Sequence, residues 1–330
     1  MPLTRGIGKQ IQVGISRETT RGAASAVATF WLAADDWSLD EKWKNAQDVQ
    51  VYGIIESEQS ETRVKAWSEG SLKVPISANS SGLLLYSMFG AVTTSTKVGE
   101  TVVFNSAFTV AQNVQHQSVT LFMHDPIVSV DYVYANTVVT KMDIDYSLGK
   151  FVEITASIKG MKGSSVATLT PAQIVETRFV PQYLTFSQAA NNAALPGSTI
   201  KIKSLKLSIN SNEEDDDVMG SISPRDFLNK EFKVEGTIEA IWQNESDFKT
   251  NSIANTPQAM RISMVNSDVT IGSTSNPALV IDLAKVYVTD FSKPFKIKDI
   301  MYQTIKFNAA YDPTPAFMIR GTLTNTVASY

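Results

Sequence analysis

Val138-Val-Thr-Lys-Met-Asp-Ile-Asp-Tyr146, Ser147-Leu-Gly-Lys150 and Phe151-Val-Glu-Ile-Thr-Ala-Ser-Ile-Lys159 read as one long antiparallel hairpin. In its second arm Val152, Ile154, Ala156 and Ile158 fall on one side, while Phe151, Glu153, Thr155, Ser157 and Lys159 fall on the other. Side chains alternate across a strand with period two, so this arm buries one side and wets the other. Gly149 supplies the left-handed residue that so short a connection needs.

Outward from this hairpin, a second two-strand unit follows, Leu279–Thr289 with Met301–Tyr311. The parts that precede each unit also recur. A strand, Val64–Ile76, runs into an apolar helix at Gly82–Gly90, and a lone strand, Ser118–Met123, comes next. In the same order come Phe232–Trp242, a helix over Glu245–Ala254, and the strand Ala259–Val265. Repetition of order with drifting spacing is the mark of an internal duplication. It predicts a mainly β protein made of two tandem sandwich or split-barrel units, 1–168 and 169–330, each with a short helix. Thr170–Pro181 and the Ala- and Asn-rich Gln188–Gly197 read as linker and loop.

Other segments carry weaker patterns. Gln10–Ile15 reads as a strand, and Ile200–Ile209 slips phase at Ser204, which predicts a bulge. Trp31, Trp37 and Trp43 are spaced through Asp- and Lys-rich sequence that reads as long and irregular. Three indoles there need apolar cover, from their own unit or from a neighbouring subunit. The run Glu213, Glu214, Asp215, Asp216, Asp217 reads as a loop that is solvated or neutralised by a partner.

Composition narrows the function. With 43% hydrophobic and 19% charged residues the chain can bury a real core. A net charge of −4 argues against a surface built to grip nucleic acid, which needs a basic stripe. The absence of cysteine removes disulfide and thiolate chemistry. Met1–Gln10 lacks an apolar core of signal-peptide length, and Leu83–Met88 is far too short to span a bilayer, so a soluble protein is expected.

A search for chemistry finds none. His116 and His124, with Asp125, make at most a partial metal site. Asp143 and Asp145 begin an acidic segment, but Leu148 and Ile154 stand where a calcium loop needs glycine and glutamate. Neither Gly8-Lys9 nor Gly149-Lys150 has the upstream glycine of a phosphate-binding loop. No catalytic residue, metal site or cofactor is expected.

The order of parts resembles the major tail tube proteins of long-tailed bacteriophages, in the version with two tube domains per chain. The likeness is carried by the opening Gly6–Gly22, by the Gly82–Gly90 helix ending in glycine, and by the hairpins Val138–Lys159 and Leu279–Tyr311. A strand over Thr322–Tyr330 completes it. The resemblance implies a structural virion protein made in the host bacterial cytoplasm. Inner sheets of such chains join side by side into a ring-shaped β-barrel, and rings stack into a tube. Two domains per chain imply three chains per ring with pseudo-six-fold geometry. A tape measure protein inside and a terminator at the end are the implied partners.

A conduit for DNA must not hold it. Duplex DNA carries one negative charge per ~1.7 Å of axis. Acidic or neutral polar walls repel it softly, and Asp143, Asp145, Glu153, Glu235 and Glu239 are the lumen-lining candidates. Residues 33–52, with Trp37 and Trp43, and the acidic segment 210–223 are candidates for contact with adjacent rings or subunits, together with Trp31. Two rival readings remain. One is another tail or head component such as a hub, terminator or decoration protein; the other is a carbohydrate-binding module using the three indoles.

Overall fold

A computed structural model describes residues 8–48, 50, 53, 55–56, 60–127, 130–167, 169–242, 248–293 and 300–330. The chain runs through β1 (Gln12–Arg17), β2 (Phe30–Leu32), β3 (Asp36–Asp48), β4 (Ser60–Pro75), α1 (Ser81–Phe89), β5 (Gly90–Thr96) and β6 (Phe104–Val110). It continues with β7 (Val119–His124), β8 (Asp131–Ser147), β9 (Glu153–Gly160) and β10 (Ser164–Val166). Next come β11 (Leu184–Ala189), β12 (Ser198–Ile200), β13 (Ile202–Asn210), β14 (Glu213–Asp216), β15 (Asp226–Asn229) and β16 (Lys233–Ile241). The last elements are α2 (Lys249–Ile253), β17 (Gln258–Val265), β18 (Ala278–Ser292), β19 (Tyr302–Ala310) and β20 (Ile319–Asn325). The protein is mainly β, and its strands pair antiparallel.

One pairing scheme occurs twice. β7 lies between β1 and β8, β8 pairs β9 and β10, β9 pairs β4, and β4 pairs β3. Likewise β17 lies between β11 and β18, β18 pairs β19 and β20, β19 pairs β16, and β16 pairs β13. The irregularities match as well. Register breaks between Val119 and Leu121 and again between Val139 and Lys141; it breaks between Gln258 and Met260 and between Val288 and Asp290. A bulge bends its strand and adds twist, so each long strand, β8 and β18, turns at the same two places.

Two seams fuse these patterns. The last part of β8 pairs with β13, from Lys141 opposite Asn210 to Ser147 opposite Ser204. The result is a continuous sheet in the order β3-β4-β9-β8-β13-β16-β19-β18. The second seam joins β6 to β20, with Phe108 opposite Gly321.

The core lies on one face of that sheet. Leu72, Val74, Met142, Ile144, Ile154, Ile158, Leu207, Ile238, Ile305 and Phe307 are all buried there. Helix α1 belongs to the same cluster through Leu83, Leu84, Leu85, Met88 and Phe89. Being apolar on every side, it is stable only when enclosed. It stops at Gly90, whose φ of 86° lets its N–H reach the Tyr86 carbonyl. The ring of Tyr330 is buried against the start of α1: its hydroxyl donates to the Asn79 carbonyl at 2.7 Å. A Cβ at Gly82 would fall 2.2 Å from that ring.

Several sequence expectations are corrected here. The supposedly irregular Trp segment is strand: Trp31 lies in β2, and Trp37 and Trp43 lie in β3. The acidic run is not a loop, since Glu213, Glu214, Asp215 and Asp216 form β14 and pair with β15; Asp217 follows it. The hairpin β5–β6 separates α1 from β7, where a lone strand was expected directly after the helix. The start of the presumed linker, Gln188, belongs to β11. Phe151 precedes β9, and the last strand is Ile319–Asn325 rather than Thr322–Tyr330. The predicted bulge at Ser204 is present. Part of the expected second helix, 245–247, lies outside the described residues, as do Gly6 and Ile7 of the opening and residue 168 of the expected boundary.

Candidate functional site

The face of the long sheet opposite the core is charged. Pairing sets its rows: Lys73, Thr155, Asp143, Ser208, Glu235 and Asn308 follow one another across six strands. The next row holds Glu153, Asp145, Lys206, Thr237, Lys306 and Asp290. Glu239, opposite Ser204 and Thr304, begins a third. All five sequence-selected carboxylates therefore share one face of one sheet. That face is hollowed, with a depression of about 740 Å³ over Lys141, Asp143, Asp145, Lys206, Glu235 and Lys306. A second, of about 410 Å³, lies over Asp40, Lys42, Glu69 and Ser71.

The face is a mosaic, not an acid wall. Lys150 reaches both Asp145 (3.0 Å) and Glu153 (2.9 Å), and Lys73 reaches Glu153 at 3.2 Å. Lys141 meets Asp143 at 2.6 Å, Lys203 meets Glu239 at 3.5 Å, and Lys233 pairs with Glu235. Lys150 holds the Glu153 carboxyl below its ordinary range. Burial pushes Asp145 upward, but the Ser147 hydroxyl and Lys150 outweigh it and leave the carboxyl lowered. Sequence reading missed Lys141, Lys206 and Lys306, although their even spacing from Asp143, Ser208 and Asn308 on the same strands already assigned them to this face.

Two arms flank the face. The hairpin β3–β4 runs outward from the sheet, and its residues 42–44 and 60–64 are exposed. Trp37 packs on the core and Trp31 is half-buried, whereas Trp43 is 52% exposed with the Arg63 guanidinium 4.6 Å from its ring. The indoles thus sit in three different settings. The other arm is the ribbon β14–β15. Asp215 is held between Lys65 and Lys159, each at 2.6 Å, and Asp217 also meets Lys65. Asp216 accepts from Arg225, and Lys230 meets Glu214 at 3.0 Å. Burial opposes ionisation of Asp215, yet Lys159 and Lys65 win and lower its pKa. Four of the run's five carboxylates are therefore paired within their own chain. Arg21 clamps the far strand through Asp226 and the Phe227 carbonyl, both at 2.7 Å.

The histidines do not meet. β7 begins only at Val119, so His116 is not on the strand that carries His124. His116 is buried beside Phe232, and burial, helped by Arg21, pushes its pKa down to about 4. His124 instead sits 2.9 Å from Asp131. Among the described residues no three His, Asp or Glu side chains are disposed to hold a metal, and no helix is long and apolar enough to cross a membrane.

A repeated antiparallel scheme, fused edge to edge and presenting one hollowed charged face, defines a mainly β protein built on one long sheet. The chain belongs to the phage tail tube protein family, whose model matches residues 8–309. It is thus a structural component of the bacteriophage tail. No curated protein matches the sequence.

Proposed function

We propose that this chain polymerises as stacked rings to build the tail tube through which DNA is ejected. The observation that carries this reading is the β8–β13 seam, where two copies of one pairing scheme merge into a single sheet. Repeating that junction between chains would curl the sheet into a closed barrel, and closure leaves no sheet edge to pair at random. With units 1–168 and 169–330 in each chain, three chains complete a ring of six similar units. The hollowed face, with Asp143, Asp145, Glu153, Glu235 and Glu239, lines the channel. Each of these carboxylates is already paired with a lysine, so the face is near charge balance and offers passing DNA no basic stripe to bind.

The β3–β4 hairpin, with Trp43 exposed, and the β14–β15 ribbon reach the adjacent ring or the neighbouring subunit. Residues 49, 51 and 52 of the first arm lie outside the described residues. A tape measure protein in the channel and a terminator on the last ring are the partners in this reading, and the chain, made in the host bacterial cytoplasm, works in the virion. Negative-stain microscopy of the concentrated protein tests it. Tubes with a central channel are expected, whereas a monodisperse monomer at high concentration would overturn the proposal.

A further inference from the structure

The eight-strand sheet has two edges where nothing described pairs. One is β3 over Asp40–Trp43, on the side away from β4; the other is β18 over Thr289–Ser292, on the side away from β19. The chain itself shows what such edges accept. The matching register breaks align β8 with β18, so that Lys141 corresponds to Asp290, Met142 to Phe291 and Asp143 to Ser292. Pairing aligns β3 with β13 in the same way. Gly70, opposite Ile158, corresponds to Gly236, opposite Phe307, and the residues facing these glycines on the next strand are Leu39 and Leu207. Asp40, Glu41 and Lys42 then correspond to Ser208, Ile209 and Asn210.

Inside the chain, Ser208, Ile209 and Asn210 lie opposite Asp143, Met142 and Lys141. We infer that β3 of one copy adds antiparallel to β18 of a second copy, with Asp40 opposite Ser292, Glu41 opposite Phe291 and Lys42 opposite Asp290. This rests on the tube reading and names the contact that closes its ring. A slip of one residue would turn every side chain to the wrong face. At this register the faces agree. Asp40, Lys42, Asp290 and Ser292 share the parity of the charged rows, while Glu41 and Phe291 share that of the core. Opposite charges, Lys42 and Asp290, also face each other. Asp40, Lys42, Trp43, Thr289, Asp290 and Ser292 are exposed in the single chain, as a waiting edge requires.

Because the chain has no cysteine, cross-linking reads the register directly. Directly opposed residues on antiparallel strands lie about 4.5–5.5 Å apart at Cα, within disulfide reach. Tubes of the double variants Asp40→Cys with Ser292→Cys, and Lys42→Cys with Asp290→Cys, should oxidise to covalent multimers on a non-reducing gel. The slipped pair Asp40→Cys with Asp290→Cys should stay monomeric. Independently, Lys42→Glu should weaken assembly about five-fold or more, since like charges then face each other, and Asp290→Lys in the same chain should restore it. Tubes in which neither named pair links, or in which the slipped pair links instead, overturn this register while leaving the tube standing. Failure of the unaltered protein to form tubes overturns the tube reading itself.

Discussion

Gly70 and Gly236 occupy one position in the repeated scheme: each sits on the core face between a leucine of one neighbouring strand, Leu39 or Leu207, and a buried side chain of the other, Ile158 or Phe307. Space, rather than backbone conformation, demands glycine at both. A Cβ at Gly70 would fall 1.8 Å from the Ser38 carbonyl oxygen, and one at Gly236 would fall 2.2 Å from the Phe307 ring, which is 1% exposed. Gly70→Ala must move backbone and Gly236→Ala must displace an enclosed ring. Each should lower stability by about 1–3 kcal/mol, Gly70→Ala more, as read from denaturant midpoints.

Asp215 anchors the ribbon to the sheet. Asp215→Ala leaves Lys65 and Lys159 without their shared acceptor and should cost about 1–3 kcal/mol, because all three side chains are largely enclosed. Its folded pKa is lowered from 3.8, so the contribution is present above that value and is lost as pH falls through the folded one. Protection of the Arg225 and Phe227 amides, taken relative to their intrinsic exchange rates at each pH, should fall in acid in the native chain. In Asp215→Asn that acid response should disappear.

His116 gives an independent pH signature. Its folded pKa, about 4, lies below the ordinary 6.5, so between these values only the unfolded chain takes up the proton. Stability should therefore fall as pH drops from 6.5 towards 4, by roughly 3 kcal/mol in total, and level off below that. Melting temperatures measured across this range check the slope, and His116→Phe should flatten it.

The charged face can be tested by reversal. Tubes of the triple variant Asp143→Lys, Asp145→Lys, Glu235→Lys, first confirmed as assembled by microscopy, should retain duplex DNA that tubes of the native chain release. That retention should fall steeply with salt, as phosphate contacts do. Equal release from both would place these residues off the channel.

Which parts were legible follows from how each strand is buried. β8, β9, β13 and β16 bury one face, so alternation exposed them and even the bulge at Ser204. β3 hid because beyond Leu39 both its faces are polar and wet, leaving Lys42, Trp43 and Lys44 without a pattern. β14 hid for a different reason. Asp and Glu disfavour strands, and the cations that make Glu213–Asp216 tolerable, Lys65 and Lys159, are remote in sequence. The five carboxylates share one face of the long sheet, and Lys141, Lys206 and Lys306 stand among them, at even spacing from Asp143, Ser208 and Asn308 on the same strands, a placement that alternation alone already carries.

The burial of Tyr330 has a consequence for how the molecule comes to exist. Its hydroxyl bonds the Asn79 carbonyl across 251 positions of sequence, and Asn325 donates to the Ala78 carbonyl across 247. The first helix therefore lacks its cover until synthesis has passed residue 330. Contacts of such long range slow folding and leave an incomplete chain with open apolar surface on the ribosome. A cell making many copies at once must keep these unfinished chains apart, so the yield of native protein should depend on chaperone supply and on the pace of translation.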